Sequence, residues 1–372
     1  MNAKKISFWN KDIVFNRRKL AILIVIGFLL AGVASGVFIN HIFPLLTSVP
    51  GFHFFAPRFT VVVNRTEQIR VHEGVEVRQL YERVRASTVT IKSYEGSLNP
   101  SQPGFVAPNV GSGLIVTSDG LIFTTKSIVL DTSRIIQVQR HDGTNMTATI
   151  LAFDPKSELA IIKVNTRDWP VIDFGNSIDR LVGEKLVGSG PSLSAFSQSL
   201  FSGELSGKTN STQEFPVHRD IDQISEFIQI VPPPPANLTG APFIDSNQQV
   251  IGMLTDSGIL PGEYLRSALE VFLNSQTLAR PQFGFTYELY PPAVSEAAGF
   301  PTQFGARVVL VRQNFVGLAI NDFIVSVNDT ELNDSQSLER LLMNIRVGDT
   351  VTIGVYRNGT ITQIEMVPGV LQ

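Results

Sequence analysis

Between residues 88 and 254 the chain repeats one pattern: a short apolar, β-branched run followed by residues that turn the backbone. Residues 88–92, 113–116, 121–125, 135–139, 147–153, 160–164, 227–230 and 250–254 are runs of this kind. Asp119-Gly120 and Asp142-Gly143 stand between them at hairpin-type turns. Short strands without long helices between them bury their apolar faces only by closing on themselves or stacking in layers, so the expectation is an all-β barrel or sandwich. Two helical stretches border it: 77–84 leads in, and 262–278 places Leu265, Leu269 and Phe272 on one face. After Pro281 comes a smaller α/β unit. Its clearest helix covers 335–343, and its last strands, 350–357 and 361–366, meet at Asn358-Gly359.

Ahead of the β-rich region, residues 20–39 carry no charge and are almost wholly apolar. A helix of about twenty residues spans ~30 Å, the thickness of a bilayer core. Lys4, Lys5, Lys11, Arg17, Arg18 and Lys19 precede the run against a single Asp12, and the first formal charge after it is Arg58. By the positive-inside rule residues 1–19 form a cytoplasmic basic tail, 20–40 a transmembrane helix, and the rest lies outside the cytoplasm. A cleaved signal peptide is the alternative; the length of the run, with no small-x-small cleavage site after it, favours the anchor. Residues 41–75, rich in Phe, Pro and Val without a steady period, read as a linker.

The net charge of −3 offers no basic face for nucleic acid, and the absence of cysteine removes disulfides, thiolate metal sites and a cysteine nucleophile. His41, His53 and His72 lie in the anchor or linker without metal-ligand spacing. His141 and His218 sit in the polar stretches Arg140-His141-Asp142 and His218-Arg219-Asp220, which read as exposed loops. Nothing in the sequence calls for a metal or cofactor.

Three motifs carry a family resemblance. Gly111-Ser112-Gly113-Leu114-Ile115 through Asp119-Gly120-Leu121-Ile122-Phe123-Thr124 resembles the opening of an HtrA (DegP/DegS-like) protease domain. Asp154-Pro155-Lys156-Ser157-Glu158-Leu159-Ala160 is similar to that family's Asp-Pro-x-x-Asp-Leu-Ala segment, and residues 228–242 align without gaps to its nucleophile segment. The resemblance implies an all-β, double-barrel trypsin-like (chymotrypsin fold) domain over 76–278 and a small α/β PDZ-like domain over 279–372. It also places Ser127 where the family keeps its catalytic histidine, Glu158 at the aspartate, Thr239 at the serine, and Asn237 where the oxyanion loop has glycine.

That set is poor for peptide-bond cleavage. The triad needs an imidazole to take the hydroxyl proton and return it to the leaving amine, which Ser127 cannot do. Loss of base or nucleophile costs about a millionfold in turnover, roughly 8 kcal/mol of barrier. Glu158 reads as a surface acid after a proline turn, and Thr239 as a β-branched filler of a collapsed pocket. Lys126, beside Ser127, is expected to face solvent rather than serve as a base.

Gln282-Phe283-Gly284-Phe285-Thr286 resembles the carboxylate-binding loop and first groove strand of HtrA-type PDZ domains, and residues 337–342 resemble the groove helix. Phe283, Gly284, Phe285, Leu338 and Leu341 are thus the expected peptide-binding residues, with a peptide joining the sheet edge as an added strand. Arg312 to Asp322 departs from the family pattern. Three functions compete: a membrane-anchored pseudoprotease of extracytoplasmic protein quality control that binds peptides or unfolded proteins and assembles into homo- or hetero-trimers with HtrA relatives; a working serine-type endopeptidase using Thr239; and a purely structural envelope protein.

Overall fold

The computed structural model describes residues 17–37, 73–96, 98–102, 105–191, 198–210, 218–300, 304–312 and 317–371. It divides into two units, Met1–Arg70 and Val71–Gln372. The described part of the first is a helix, Arg17–Val37. Among the described residues no helix is long and apolar enough to cross a membrane. The expectation of a transmembrane span over 20–40 is therefore not carried by the fold, and the linker call at 41–75 lies outside the described residues up to 72.

In the second unit the helix Glu73–Ser87 leads into two closed barrels. Strands β1 (Thr88–Tyr94), β2 (Asn109–Ile115), β3 (Leu121–Thr125), β4 (Ile135–Gln139), β5 (Asn145–Phe153) and β6 (Leu159–Lys163) close in the order β1-β2-β3-β6-β5-β4. Their inward residues, among them Val89, Ile91, Ile115, Ile122, Val138 and Ile162, fill that barrel. Strands β7 (Lys185–Pro191) and β8 (Gln198–Asn210) open the second barrel, while the next strand in the chain, β9 (His218–Asp220), belongs elsewhere. The second barrel is completed by β10 (Glu226–Val231), β11 (Pro242–Ile244), β12 (Val250–Leu254) and β13 (Ile259–Pro261), in the order β10-β13-β12-β11-β7-β8 around Leu186, Ile228, Phe243 and Ile251. A third cluster joins the barrels to both flanking helices through Leu80, Val84, Phe123, Met253, Leu265 and Phe272. The helix expected over 262–278 runs Gly262–Ser275 and ends at Gln276, whose φ of 56° is left-handed.

The C-terminal part holds β14 (Arg280–Gln282), β15 (Phe285–Tyr290), β16 (Gly305–Val311), β17 (Phe323–Val327), β18 (Thr330–Glu331), β19 (Val351–Arg357), β20 (Thr360–Met366) and β21 (Gly369–Leu371). Its main sheet is ordered β20-β19-β17-β16-β15-β9, so a strand from between the barrel strands β8 and β10 completes it. The helix Leu338–Met343 packs against this sheet through Leu338 and Leu342, capped by Ser337, whose Oγ accepts the Arg340 N–H. The departing segment expected at 312–322 includes residues 313–316, which lie outside the described residues.

Candidate functional site

Thr239 follows a single 3-10 turn, Ala236–Leu238. Its N–H donates to the Ala236 carbonyl at 3.0 Å and its hydroxyl donates to the same oxygen at 2.8 Å. The other partner of the hydroxyl is Asp256 Oδ1 at 3.5 Å. The Thr239 carbonyl accepts the Ser112 N–H at 2.8 Å, tying the turn to the first barrel. Gly240 makes this approach possible: its φ is +83°, and a Cβ there would lie 2.0 Å from the Ser112 carbonyl oxygen. Asn237 sits within the 3-10 turn and donates through Nδ2 to the Pro191 carbonyl at 3.0 Å. The Thr239 amide, an oxyanion donor in the expected alignment, is thus already spent on the turn.

Thr239 does not fill a collapsed pocket. It lines an open cleft of about 590 Å³ with Ile228, Ile230, Pro233, Asp256 and Ile259, on the surface of the second barrel. Glu158 is likewise more than a surface acid: its Oε2 accepts the N–H groups of Asp256 (2.9 Å) and Ser257 (3.3 Å), and its Oε1 accepts the Ser257 hydroxyl at 2.6 Å. It clasps the tight turn that ends β12. Ser127 lies on the short helix Lys126–Val129, its hydroxyl paired with Thr125 Oγ1 at 2.9 Å and its carbonyl accepting from Asn109 Nδ2 at 2.6 Å. Glu158 and Thr239 therefore converge on Asp256, whereas no hydrogen bond joins Ser127 to either among the described residues. Lys126 meets Glu158 only through backbone, its N–H donating to the Glu158 carbonyl at 2.7 Å.

At the second expected site, Phe283 and Phe285 are fully buried with Leu338 and Leu342, while Leu341 packs at the margin. The free edge of β15 is not open. β9 pairs with it antiparallel, Thr286 opposite Asp220, Tyr287 opposite Arg219 and Glu288 opposite His218. The Ile221 N–H donates to the Phe285 carbonyl at 3.2 Å. The Asp222 carboxylate then accepts the N–H groups of Phe283 (2.7 Å) and Gly284 (2.9 Å), and Arg312 Nη1 donates to it at 2.7 Å. His218 is thus on a strand rather than a loop, with Nε2 2.6 Å from Glu288 Oε1.

A double barrel followed by such a sheet and helix is matched by two families in the same order: residues 111–253 match the trypsin-like peptidase domain and residues 289–367 the PDZ domain. The probable periplasmic serine endoprotease DegP-like of Bartonella henselae is 27% identical over 267 residues, covering 67% of this chain and 51% of that protein. The protein of the same description from Pseudomonas putida is 26% identical over 281 residues, covering 71% and 57%. The chain carries a trypsin-like peptidase domain followed by a PDZ domain and resembles the HtrA family. It spans about half the length of the curated HtrA relatives it matches. Among solved structures, the HtrA-type protease AlgW with tripeptide superposes with a TM-score of 0.62 at 18% identity, over 79% of this chain and 97% of that one. The serine endoprotease from Yersinia pestis gives 0.53 at 19% identity, over 80% and 98%.

Sequence reasoning on the HtrA motifs missed the charges buried where the barrels meet the PDZ domain. Asp154 accepts Arg280 Nη2 at 2.8 Å and the Tyr264 hydroxyl at 2.9 Å, all three buried. Nearby, burial pushes the Lys156 ammonium below its usual range, with Glu339 opposing that shift. Burial raises the Glu339 carboxyl, which accepts both the N–H and the hydroxyl of Ser225 at 2.9 and 2.7 Å. Asp154 and Lys156 were in view as motif letters; only the three-dimensional arrangement shows what they face. Among the described residues no cluster of His, Asp and Glu is arranged to hold a metal.

Proposed function

We propose that the chain is an HtrA-family pseudoprotease: a membrane-held, extracytoplasmic protein of quality control that binds peptide or unfolded protein and cleaves neither. The observation that carries this reading is the Thr239 hydroxyl, which donates to a backbone carbonyl and, among the described residues, has no nitrogen base as a hydrogen-bond partner. Its amide is committed to the same carbonyl, so a tetrahedral oxyanion loses one of its stabilising donors as well. The degenerate positions Ser127, Glu158 and Thr239 are part of this proposal.

Peptide binding draws support from the PDZ match and from HtrA-type relatives solved with tripeptide and decapeptide. Membrane attachment draws support from the helix Arg17–Val37, on which Ile22, Ile24, Val25, Phe28, Leu29, Leu30 and Val33 are all exposed. Periplasmic relatives favour domains outside the cytoplasm. Assembly with a second copy or with a catalytically competent HtrA protein belongs to the same reading.

The deciding experiment is digestion of fluorescein-labelled casein by purified protein and its Thr239→Ala variant. The expected result is background hydrolysis from both; hydrolysis by the parent that disappears in the variant overturns the reading. The second reading, a threonine-based endopeptidase, has one observation in its favour: the cleft beside Thr239 remains open, with the Asp256 carboxylate at its rim.

A further inference from the structure

PDZ domains take a peptide as an extra strand on one sheet edge and hold its terminal carboxylate in backbone N–H groups. Every part of that arrangement is present here, with the chain itself as the ligand. β9 runs antiparallel along β15. Ile221 follows and is fully buried in one cluster with Phe283, Phe285, Leu338 and Leu342. Asp222 comes next, its side chain buried and its carboxylate held by the Phe283 and Gly284 amides and by Arg312. Gly284 has a φ of +68°, the conformation that turns its N–H into the loop. Past Asp222 the segment stays fastened: Ser225 donates to Glu339, and Glu226 accepts Arg340 Nε at 2.7 Å.

Burial of an apolar strand would account for Ile221 alone. It does not account for a buried carboxylate placed on two successive loop amides, since such a charge is stable only where donors are already aimed at it. We infer that His218–Asp222 is a built-in ligand of the PDZ groove, imitating a peptide that ends in an aliphatic residue with a free carboxylate. The groove is shut to outside peptides of that class until the segment leaves. This rests on the proposed peptide-binding role and adds both a ligand chemistry and a competitor. The Asp222 carboxylate stands for the terminal carboxylate, and Ile221 for the last side chain. Asp220, ion-paired to Arg312, adds a preference for an acidic residue just before it.

A tethered competitor acts at an effective concentration on the order of millimolar. An outside peptide therefore binds with an apparent affinity reduced by the fraction of open groove. The probe is fluorescein-labelled Val-His-Arg-Asp-Ile, residues 217–221 of this chain, with a free C-terminal carboxylate, and the same peptide amidated as control. Anisotropy titrations use the full chain in detergent micelles and its Ile221→Ala/Asp222→Ala variant. The variant is expected to bind the free-acid probe at least tenfold more tightly than the parent, and neither protein to bind the amide.

Equal, tight binding to both proteins would overturn the internal-ligand inference while leaving the peptide-binding role standing. No binding to a variant that keeps the parent's circular dichroism would overturn the peptide-binding role and the inference with it. Should the double variant fail to fold, Asp222→Asn keeps the size, removes the charge and serves the same comparison. Amide hydrogen exchange in the parent gives an independent reading: slow exchange at Phe283 and Gly284 is expected, and fast exchange at both contradicts the inference.

Discussion

Asp154, in the turn between the last two strands of the first barrel, and Arg280, at the start of the PDZ domain, form a buried ion pair with Nη2 2.8 Å and Nε 3.3 Å from the two carboxylate oxygens. Tyr264 completes it, donating its hydroxyl to the carboxylate and lying under the guanidinium 4.8 Å from its ring centre. Removing one partner of such a pair leaves an uncompensated charge in the interior. Asp154→Ala should therefore cost about 3–5 kcal/mol in urea unfolding, and pairing Asp154→Leu with Arg280→Met should recover most of it.

The buried Glu339 carboxyl makes stability depend on pH. Burial raises the Glu339 carboxyl above its ordinary 4.5. A carboxyl raised in the folded state contributes stability that is complete below about 4.5 and fades as pH rises through the folded value. Lys156→Met removes the opposing ammonium and raises that value further. The variant should be less stable than the parent at pH 7, and the deficit should shrink on acidification toward pH 4, read from midpoints across a pH series.

Glu158 tests whether a motif acid has been turned to structural use. Its three hydrogen bonds hold the Asp256–Ser257 turn against the first barrel. Glu158→Ala should cost about 1–2 kcal/mol and raise hydrogen exchange at the Asp256 and Ser257 amides. Casein hydrolysis should remain at background in both proteins.

Gly240→Ala should be among the most damaging small changes. A methyl there meets the Ser112 carbonyl at 2.0 Å in a backbone conformation that L residues avoid. About 3 kcal/mol is expected from strain and overpacking together, measured by thermal or urea unfolding.

Rebuilding the triad should not rebuild the enzyme. Ser127→His, Glu158→Asp and Thr239→Ser supply the side chains, yet the 3-10 turn over Ala236–Leu238 still consumes the amide of residue 239, and Asn237 still holds the Pro191 carbonyl. The triple variant is expected to stay at background on labelled casein, and a measurable rate from it would show that the turn opens on binding substrate.

Much of the barrel pair was legible because strands such as 121–125 and 160–164 announce themselves by apolar, β-branched runs between turn residues. β7 and β8 were not, since Gly188, Gly190, Gly203 and Gly207 break their apolar pattern and the pairing of β7 with its neighbours supplies what the local sequence withholds. β9 was illegible for a sharper reason. His218-Arg219-Asp220 has the composition of a loop, and its strand geometry comes from Thr286 to Glu288, far along the chain. The same gap hid Asp222, whose role exists only once Phe283 and Gly284 are opposite it. On the groove helix the motif placed Leu341 inside, where the fold puts Leu342 deeper.

The clasp of the PDZ helix on the barrel side has a mechanical reading. Ser225 and Glu226 are fastened to Glu339 and Arg340 where the strand that runs to Val231 begins, so groove and cleft are joined by one short length of chain. A polypeptide touching both would meet a ruler rather than a hinge, and its fit would be set by how many residues it spans.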